Sequence, residues 1–290
     1  MDCKIVLPIG CNAKCSFCFS SGNGYTEDFI EEVQKSLYKV DGPVTANITG
    51  GEPSIYPKLI PLVQMLKEHP RVNRVILTSN GSNILDVREV ADYITHLNIS
   101  RHFYTEEKND ELFGVHFAID YETITKYFNR HGVDVRCNCY LSDNFKDIDD
   151  LELMVEWAVK RGFNSIKFRN DFSKGMKMNK WEKMFREVYK PSYEDSCPVC
   201  RISEYLYRIP VFFGYGVPEP SDYIGNFEYV INRDGQLYHD YAGLRPVTKD
   251  EMAYRNPVSR ERIHGCGGSE YIRITYADGS ESLEDVSGGC

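Results

Sequence analysis

Apolar, strand-like runs alternate with amphipathic, helix-like runs along the first 170 residues of this 290-residue chain. Parallel strands need crossover connections, so six such units in succession predict a parallel sheet with helices outside it. Six units are fewer than the eight of a closed barrel, and the predicted fold is α/β, an open, partial (β/α)6 barrel. The strands are predicted over residues 4–9, 44–49, 72–79, 95–101, 133–141 and 164–169, and helices over 26–40, 56–69, 84–94, 120–132 and 148–162.

The pattern changes after Asp171, so residues 1–170 are predicted to form the core domain and 171–290 a C-terminal appendage. Residues 171–190 have the pattern of a basic helix. Residues 228–240 and 270–285 each place an Asp-Gly pair between alternating apolar and polar residues, which is a strong hairpin signal. The appendage is therefore predicted to be small and hairpin-rich.

Composition excludes several classes of function. The net charge of −9 and the pI near 5.4 disfavour a nucleic-acid partner, because an acidic chain gains little from counterion release. No apolar run reaches the ~20 residues of a membrane span, and the N-terminus lacks the features of a signal peptide. We therefore expect a cytoplasmic protein without a membrane partner. Its ten cysteines are then better explained as metal ligands than as disulfides.

Three cysteines, Cys11, Cys15 and Cys18, follow the first predicted strand with the spacing C-x3-C-x2-C. Ligands of α/β folds bind at this end of the strands. A structural zinc site would need a fourth ligand nearby, and the loop contains no histidine. An iron–sulfur cube held by three thiolates would leave one iron open to a small molecule. Both the iron–sulfur and the zinc interpretations remain open at this point.

The sequence resembles the radical S-adenosylmethionine (radical SAM) superfamily over roughly residues 3 to 170. The resemblance rests on the cysteine spacing with an aromatic residue before the last cysteine, and on segments at the ends of the next three strands. Those segments are GGEP at 50–53, TSNG at 78–81 and NISR at 98–101. The resemblance implies a 4Fe-4S cluster whose fourth iron is chelated by S-adenosylmethionine. It also implies reductive cleavage to methionine and a 5′-deoxyadenosyl radical, which abstracts hydrogen from a substrate.

The resemblance assigns roles to individual residues. Cys11, Cys15 and Cys18 would hold three irons, and Gly50, Gly51 and Glu52 would hold the methionine amino group. Phe17 would pack near the adenine. Asn98 and Ser100 would face the barrel interior, toward the ribose or carboxylate, whereas Arg101 points the other way on an ideal strand. No catalytic side chain is identified. His102 is expected on the surface, and Arg169 could face the active site or bind a carboxylate.

Besides Cys3 and the three cysteines of this loop, the chain has six further cysteines. Cys137 and Cys139 share a face of the fifth strand and are expected to be small buried hydrophobes. The remaining four, Cys197, Cys200, Cys266 and Cys290, could hold an auxiliary iron–sulfur cluster or a zinc ion. Several branches of the superfamily append a hairpin domain with such a cluster, the SPASM or twitch type, which residues 265–285 resemble.

The resemblance leaves the substrate open. Members with an appended cluster often crosslink, oxidise or epimerise ribosomally made peptides, which makes a peptide the first expectation. They often carry a leader-binding domain ahead of the barrel, and none is expected here because the first strand starts at residue 4. A small molecule, sugar or nucleotide of cofactor or natural-product biosynthesis is the alternative. An electron donor such as flavodoxin or ferredoxin would be a partner. A non-catalytic metal-binding regulator is the alternative of another class.

Overall fold

The computed structural model describes residues 2–18, 27–40, 42–169, 180–194, 202–214, 228–238, 257–264, 270–276 and 281–285. The helices are α1 Phe29–Leu37, α2 Leu59–Glu68, α3 Glu106–Phe113, α4 Tyr121–Arg130, α5 Ile148–Lys160 and α6 Lys180–Val188, with 3₁₀ segments at Pro53–Ile55 and Ile84–Asp92. The strands are β1 Asp2–Val6, β2 Val44–Thr49, β3 Val72–Ser79, β4 His96–Ser100, β5 Asp134–Tyr140, β6 Ser165–Arg169, β7 Tyr193–Glu194, β8 Ile202–Tyr207, β9 Ile209–Gly214, β10 Glu228–Ile231, β11 Leu237–Tyr238, β12 Pro257–His264, β13 Glu270–Tyr276 and β14 Glu281–Asp285.

The chain divides into two compact units. The first unit contains Met1–Gly10, Ser20–Ile76 and Pro220–Cys290, and the second contains Cys11–Phe19 and Leu77–Glu219. The predicted strand–helix alternation is confirmed, and the strands that carry it pair in parallel within each unit. These features confirm the α/β class with a parallel sheet. No described helix has the length and apolar character needed to cross a membrane.

In the first unit, β1 pairs in parallel with β2 on one side and with β10 on the other. β10 and β11 form an antiparallel hairpin whose turn contains Gly235 at φ +76°, as the Asp-Gly pair predicts. The structure thus places this hairpin beside β1, with Cys3 opposite Tyr229. A separate three-stranded antiparallel sheet, β12-β13-β14, contains the second predicted hairpin.

In the second unit, β4, β5, β6 and β9 are parallel neighbours, and β8 and β7 continue the sheet in antiparallel pairing. Alternate residues of β4–β6 are fully buried and apolar; helices α4 and α5 pack on this sheet. Cys137 and Cys139 belong to this apolar set, and burial raises the pKa of both thiols. Their predicted place as small buried hydrophobes is confirmed. The buried apolar residues of this face are Leu97, Ile99, Val135, Cys137, Cys139, Ile166 and Phe168.

Two local predictions are wrong. Residues 84–94 are not an α-helix: Ile84–Asp92 is 3₁₀ and kinked at Val87, which has non-helical φ/ψ. The stretch after Arg101, for which no helix was predicted, contains helix α3. Its local signal is weak because six of its eight residues are charged or polar, and contacts with the residues just before the helix stabilise it instead. Asn109 is buried and accepts the backbone N–H of His102, and Glu106 pairs with Arg101.

Candidate active site

The cysteine loop, residues 11–18, follows β1 and begins the second unit. The backbone turns between Cys15 and Cys18, where the N–H of Cys18 donates to the carbonyl of Cys15 at 3.2 Å. None of these three thiols forms a disulfide, and Cys11 and Cys18 are exposed. Burial raises the pKa of Cys15 to about 12, and the nearby Cys18 and Cys11 add to this rise. The three sulfurs therefore lie close enough to interact electrostatically.

Helix α3 anchors the middle of the cysteine loop. The N–H of Lys14 donates to the carbonyl of Phe113 at 2.7 Å, an acceptor that the end of the helix leaves unsatisfied. Gly114 follows at φ +66° and ends the helix in the left-handed conformation. A Cβ at Gly114 would lie 2.9 Å from the carbonyl oxygen of Lys14, so only glycine allows this approach.

An amide network connects the cysteine loop to Asn80, in the TSNG segment at 78–81, and to Ser82 just after it. Asn80 Nδ2 donates to Asn12 Oδ1 at 2.8 Å, and Asn12 Nδ2 donates to Ser82 Oγ at 2.8 Å. The N–H of Ser82 closes the network by donating to Asn80 Oδ1 at 2.9 Å. Asn80 Nδ2 also lies 4.0 Å from Cys11 Sγ, within reach of a weak hydrogen bond to sulfur. This network fixes the position of Cys11.

Phe17 packs in an aromatic cluster with Tyr140 and His102. Its ring stacks on Tyr140 at 4.0 Å between centroids and meets the edge of His102 at 5.0 Å. His102 is buried, which corrects its expected surface position. Its Nδ1 accepts the backbone N–H of Tyr140 at 3.1 Å. Burial, with the charges of Arg101 and Arg169, lowers the pKa of His102 to about 3, so the ring is neutral.

Sequence reasoning did not identify Tyr140 or His102 as neighbours of the cysteine loop. Tyr140 is the last residue of β5, and a tyrosine in that position is compatible with many roles. The predicted strand order alone does not identify which side chains contact the cysteine loop. The aromatic contact itself depends on side-chain packing, for which the sequence contains no signal.

The Gly-Gly-Glu segment packs on the backbone that leads into the cysteine loop. The N–H of Glu52 donates to the carbonyl of Gly10 at 3.1 Å, and Gly10 directly precedes Cys11. A Cβ at Gly51 would clash with the carbonyl oxygens of Gly10 and Ile9. Gly50 has φ +121°, which side chains rarely allow. The buried Glu52 carboxylate accepts the N–H and hydroxyl of Ser54 through Oε1, at 2.9 and 2.6 Å.

The side chains of β4 alternate as expected. Asn98 and Ser100 are partly exposed on one face, and Asn98 Nδ2 donates to Thr78 Oγ1 at 3.2 Å. Arg101 lies on the other side, against the helices. It is buried, pairs with Glu106 at 2.8 Å and places its guanidinium carbon 4.6 Å from the ring centroid of Trp157. Arg101 is therefore a structural cation of the helical layer.

The face of β4 that carries Asn98 and Ser100 continues onto the neighbouring strands as a polar surface. In parallel register, Ser100 lies beside Asn138 and Asn138 beside Lys167, and Tyr140 lies beside Arg169. We call this surface the polar face. Its described members on β4, β5 and β6 include Asn98, Ser100, Arg136, Asn138, Tyr140, Ser165, Lys167 and Arg169.

The four C-terminal cysteines that were considered for an auxiliary site, Cys197, Cys200, Cys266 and Cys290, lie outside the described residues. Within the part of the chain that the structure describes, no group of three or more His, Cys, Asp or Glu side chains is arranged to hold a single metal ion. The described neighbours of Cys11, Cys15 and Cys18 thus supply no fourth ligand for zinc. An iron–sulfur cube needs no convergence on one point, since each thiolate binds a different iron. The donor set therefore fits a 4Fe-4S cluster.

Comparisons with known proteins agree with this site. The family model of the radical SAM superfamily matches residues 5–168. GTP 3′,8-cyclase of Aquifex aeolicus (strain VF5) is 27% identical over 165 residues, which cover 52% of this chain and 50% of that protein. The match thus spans about half the length of this curated relative.

Solved structures share the fold at low identity. SuiB of Streptococcus suis bound to S-adenosylmethionine has a TM-score of 0.61 at 17% identity, covering 87% of this chain and 64% of that chain. SuiB bound to its precursor peptide SuiA has a TM-score of 0.59 at 16% identity, covering 86% and 61%. Native anSMEcpe with bound AdoMet and the Cp18Cys peptide has a TM-score of 0.58 at 15% identity, covering 88% and 80%.

Proposed function

Because the chain belongs to the radical SAM superfamily, we propose that it reductively cleaves S-adenosylmethionine at a 4Fe-4S cluster held by Cys11, Cys15 and Cys18. The observation that carries the proposal is the loop of three thiols, none in a disulfide, that α3 and the Asn80–Asn12 network anchor. When bound, the cluster and S-adenosylmethionine supply a 5′-deoxyadenosyl radical that abstracts hydrogen from the substrate.

The side chains around the cysteine loop position the cofactors in this proposal. Gly50 and Gly51 bring the backbone close to the methionine part, and Glu52 accepts its amino group. Asn98 and Ser100 bind the ribose or carboxylate from the polar face. Phe17, held by Tyr140, covers the adenine and keeps water from the reacting centre. The proposal assigns no side chain as a proton donor or acceptor in the reaction.

A ribosomally made peptide is the first proposed substrate, modified by crosslinking, oxidation or epimerisation. The support is the fold shared with SuiB, whose structure contains a precursor peptide. A small-molecule, sugar or nucleotide substrate of cofactor or natural-product biosynthesis is the second candidate. The 27% identity to a GTP 3′,8-cyclase favours it. A flavodoxin or ferredoxin is the proposed electron donor in both cases.

The experiment is 5′-deoxyadenosine formation by anaerobically reconstituted protein with dithionite and S-adenosylmethionine. We expect the product from the wild-type chain and none from Cys18→Ala. Absence of product from wild-type protein that contains iron and sulfide, beside an active control enzyme, would contradict the proposal. It would favour a non-catalytic metal-binding regulator.

The proposed auxiliary site, with Cys197, Cys200, Cys266 and Cys290 as ligands, needs its own test. Iron, sulfide and zinc are counted on folded Cys11→Ala/Cys15→Ala/Cys18→Ala protein after reconstitution. Residual iron with sulfide supports a second cluster, and residual zinc alone supports a structural ion. Protein without either metal contradicts an auxiliary site.

A further inference from the structure

The polar face carries three cations in adjacent positions. Arg136 lies on β5, and Lys167 and Arg169 lie two residues apart on β6, the next strand. Neighbouring strands are about 4.8 Å apart, and residues two apart along a strand are separated by about 6.6 Å. The three Cα atoms therefore lie within about 8 Å of their nearest neighbour in the set.

The orientation of these cations follows from the contacts of their side chains. Arg136 Nε donates to Ser165 Oγ at 3.0 Å, and its guanidinium carbon lies 4.9 Å from the centroid of Phe212 on β9. Arg136 thus extends across β6 rather than away from it. A Cβ at Gly214 would lie 2.7 Å from Lys167 Cε, so the absent side chain of Gly214 gives Lys167 its space. Arg136 and Lys167 are both directed over β6 and β9.

Arg169 connects this group to the cysteine loop. It lies beside Tyr140 in register, and its charge contributes to the lowered pKa of His102. Tyr140 and His102 are the two aromatic neighbours of Phe17. The basic group therefore extends along the polar face to the aromatic cluster at the loop that would hold the iron–sulfur cluster.

Two described carboxylates also lie on the polar face. Strand register brings Asp134 and Glu204 onto it. Asp134 lies at the opposite end of β5, 3.6 Å from His96 Nε2. Glu204 is on β8, beside Phe212 and two strands away from Lys167.

Asn138 supplies a second, independent observation. Its side chain is 7% exposed, and its Oδ1 is buried without a hydrogen-bond partner among the described residues. It lies in register between Ser100 and Lys167. A buried acceptor without a donor is unfavourable, so a bound hydroxyl or amine at this point would stabilise the site.

We propose that the polar face binds an oxyanion of the substrate, a phosphate or carboxylate, through Arg136, Lys167 and Arg169. Asn138 Oδ1 accepts a hydrogen bond from a hydroxyl or amine of the same molecule. Arginine binds both oxyanions through two parallel N–H groups, and lysine adds a point charge. This inference rests on the proposed function, because it places the substrate beside the radical-forming centre. It defines the substrate class as an anion with a neighbouring hydrogen-bond donor.

Calorimetric titration of the reconstituted full chain, saturated with S-adenosylmethionine, tests the proposal. The probes are tripolyphosphate and tricarballylate at equal ionic strength. Saturable binding of tripolyphosphate alone indicates a phosphorylated substrate, and binding of tricarballylate alone indicates a carboxylate. Arg136→Gln and Lys167→Met should each weaken binding at least about tenfold. Lys160→Met, an exposed lysine on α5, should leave binding unchanged.

Asn138→Asp keeps the side-chain shape and adds a negative charge among the cations. We expect it to weaken probe binding at least about tenfold while circular dichroism and the unfolding temperature show a folded protein. Asn138→Asp also tests the proposal if Lys167→Met does not fold. The proposal is overturned if neither probe saturates, or if the variants bind like wild type.

Competition with S-adenosylmethionine provides a second criterion. If adding S-adenosylmethionine displaces the bound probe, the cations serve its carboxylate and the proposal is wrong. An unchanged dissociation constant supports a separate substrate site. Failure of the proposed function would appear elsewhere, as absent 5′-deoxyadenosine, so the two failures are distinguishable.

Discussion

Phe17 stacks on Tyr140 with ring centroids 4.0 Å apart and ring planes 8° from parallel. Phe17 lies between two proposed cluster ligands, Cys15 and Cys18, and Tyr140 is the last residue of β5. This contact ties the cysteine loop to the end of a strand that is distant in sequence. It gives the loop a fixed position independent of its own short turns.

The Phe17–Tyr140 contact is expected to contribute about 0.5–1.5 kcal/mol to the free energy of unfolding, in addition to the contribution of its buried apolar area. A double-mutant cycle with Phe17→Leu and Tyr140→Leu measures this coupling from urea unfolding. Phe17→Leu with Tyr127→Leu is the control cycle, because Tyr127 contacts Phe128 and His131 instead. Equal coupling in the two cycles would show that the stack has no specific role.

His102 should make the protein less stable as the pH falls. Its pKa is lowered from 6.5 to about 3 in the folded state, so below pH 6.5 the unfolded chain binds a proton that the folded chain excludes. The free energy of unfolding then decreases by up to about 1.4 kcal/mol per pH unit. Above pH 6.5 this contribution is constant.

The His102 effect is measured by urea unfolding of wild type and His102→Asn between pH 7 and pH 5. Asparagine keeps an acceptor for the N–H of Tyr140 but does not titrate. We expect the difference between the two proteins to shift in favour of His102→Asn as the pH falls. Parallel curves would contradict a buried neutral histidine.

Asn80 should control how firmly the cysteine loop retains iron. Asn80→Ala removes the donor to Asn12 and to Cys11 and the acceptor for Ser82. We expect iron loss to a chelator to become about tenfold faster. The reduction potential should become more negative, because a donor near the thiolate stabilises the reduced cluster.

The control for Asn80 is Asn73→Ala, an exposed position on β3. Anaerobic chelator kinetics and redox titration are compared for both variants. If Asn80→Ala matches wild type in both measurements, the amide network does not position Cys11.

Gly51 should be intolerant of any side chain. The Cβ of Gly51→Ala would clash with the carbonyl oxygens of Gly10 and Ile9, and the backbone there leads directly into Cys11. We expect a loss of about 1–3 kcal/mol in unfolding free energy, together with poor iron retention.

Gly132→Ala separates the two effects of the Gly51 substitution. Gly132 has φ +76° with open space around its Cα, so alanine there strains the backbone without a clash. This control should lose stability but retain iron as wild type does. Full iron retention by Gly51→Ala would show that the segment does not shape the cysteine loop.

The strand–helix order was predictable because hydrophobic periodicity is a local property of the sequence. The alternation of Asn98 and Ser100 with Leu97 and Ile99 follows directly from the two-residue period of a strand. Helix α3 was not predictable, since its buried contacts, Asn109 to His102 and Glu106 to Arg101, depend on partners outside the segment.

The sequence by itself determined the α/β class, the parallel strand order and the three thiols of one loop, because spacing and periodicity are written along the chain. Only the tertiary structure decided that Phe17 stacks on Tyr140, that His102 is buried and that Arg136 crosses toward Phe212. These contacts join side chains distant in sequence, and packing selects among rotamers that the local sequence leaves equally available. The same packing brings Lys167 and Asn138 side by side on the polar face.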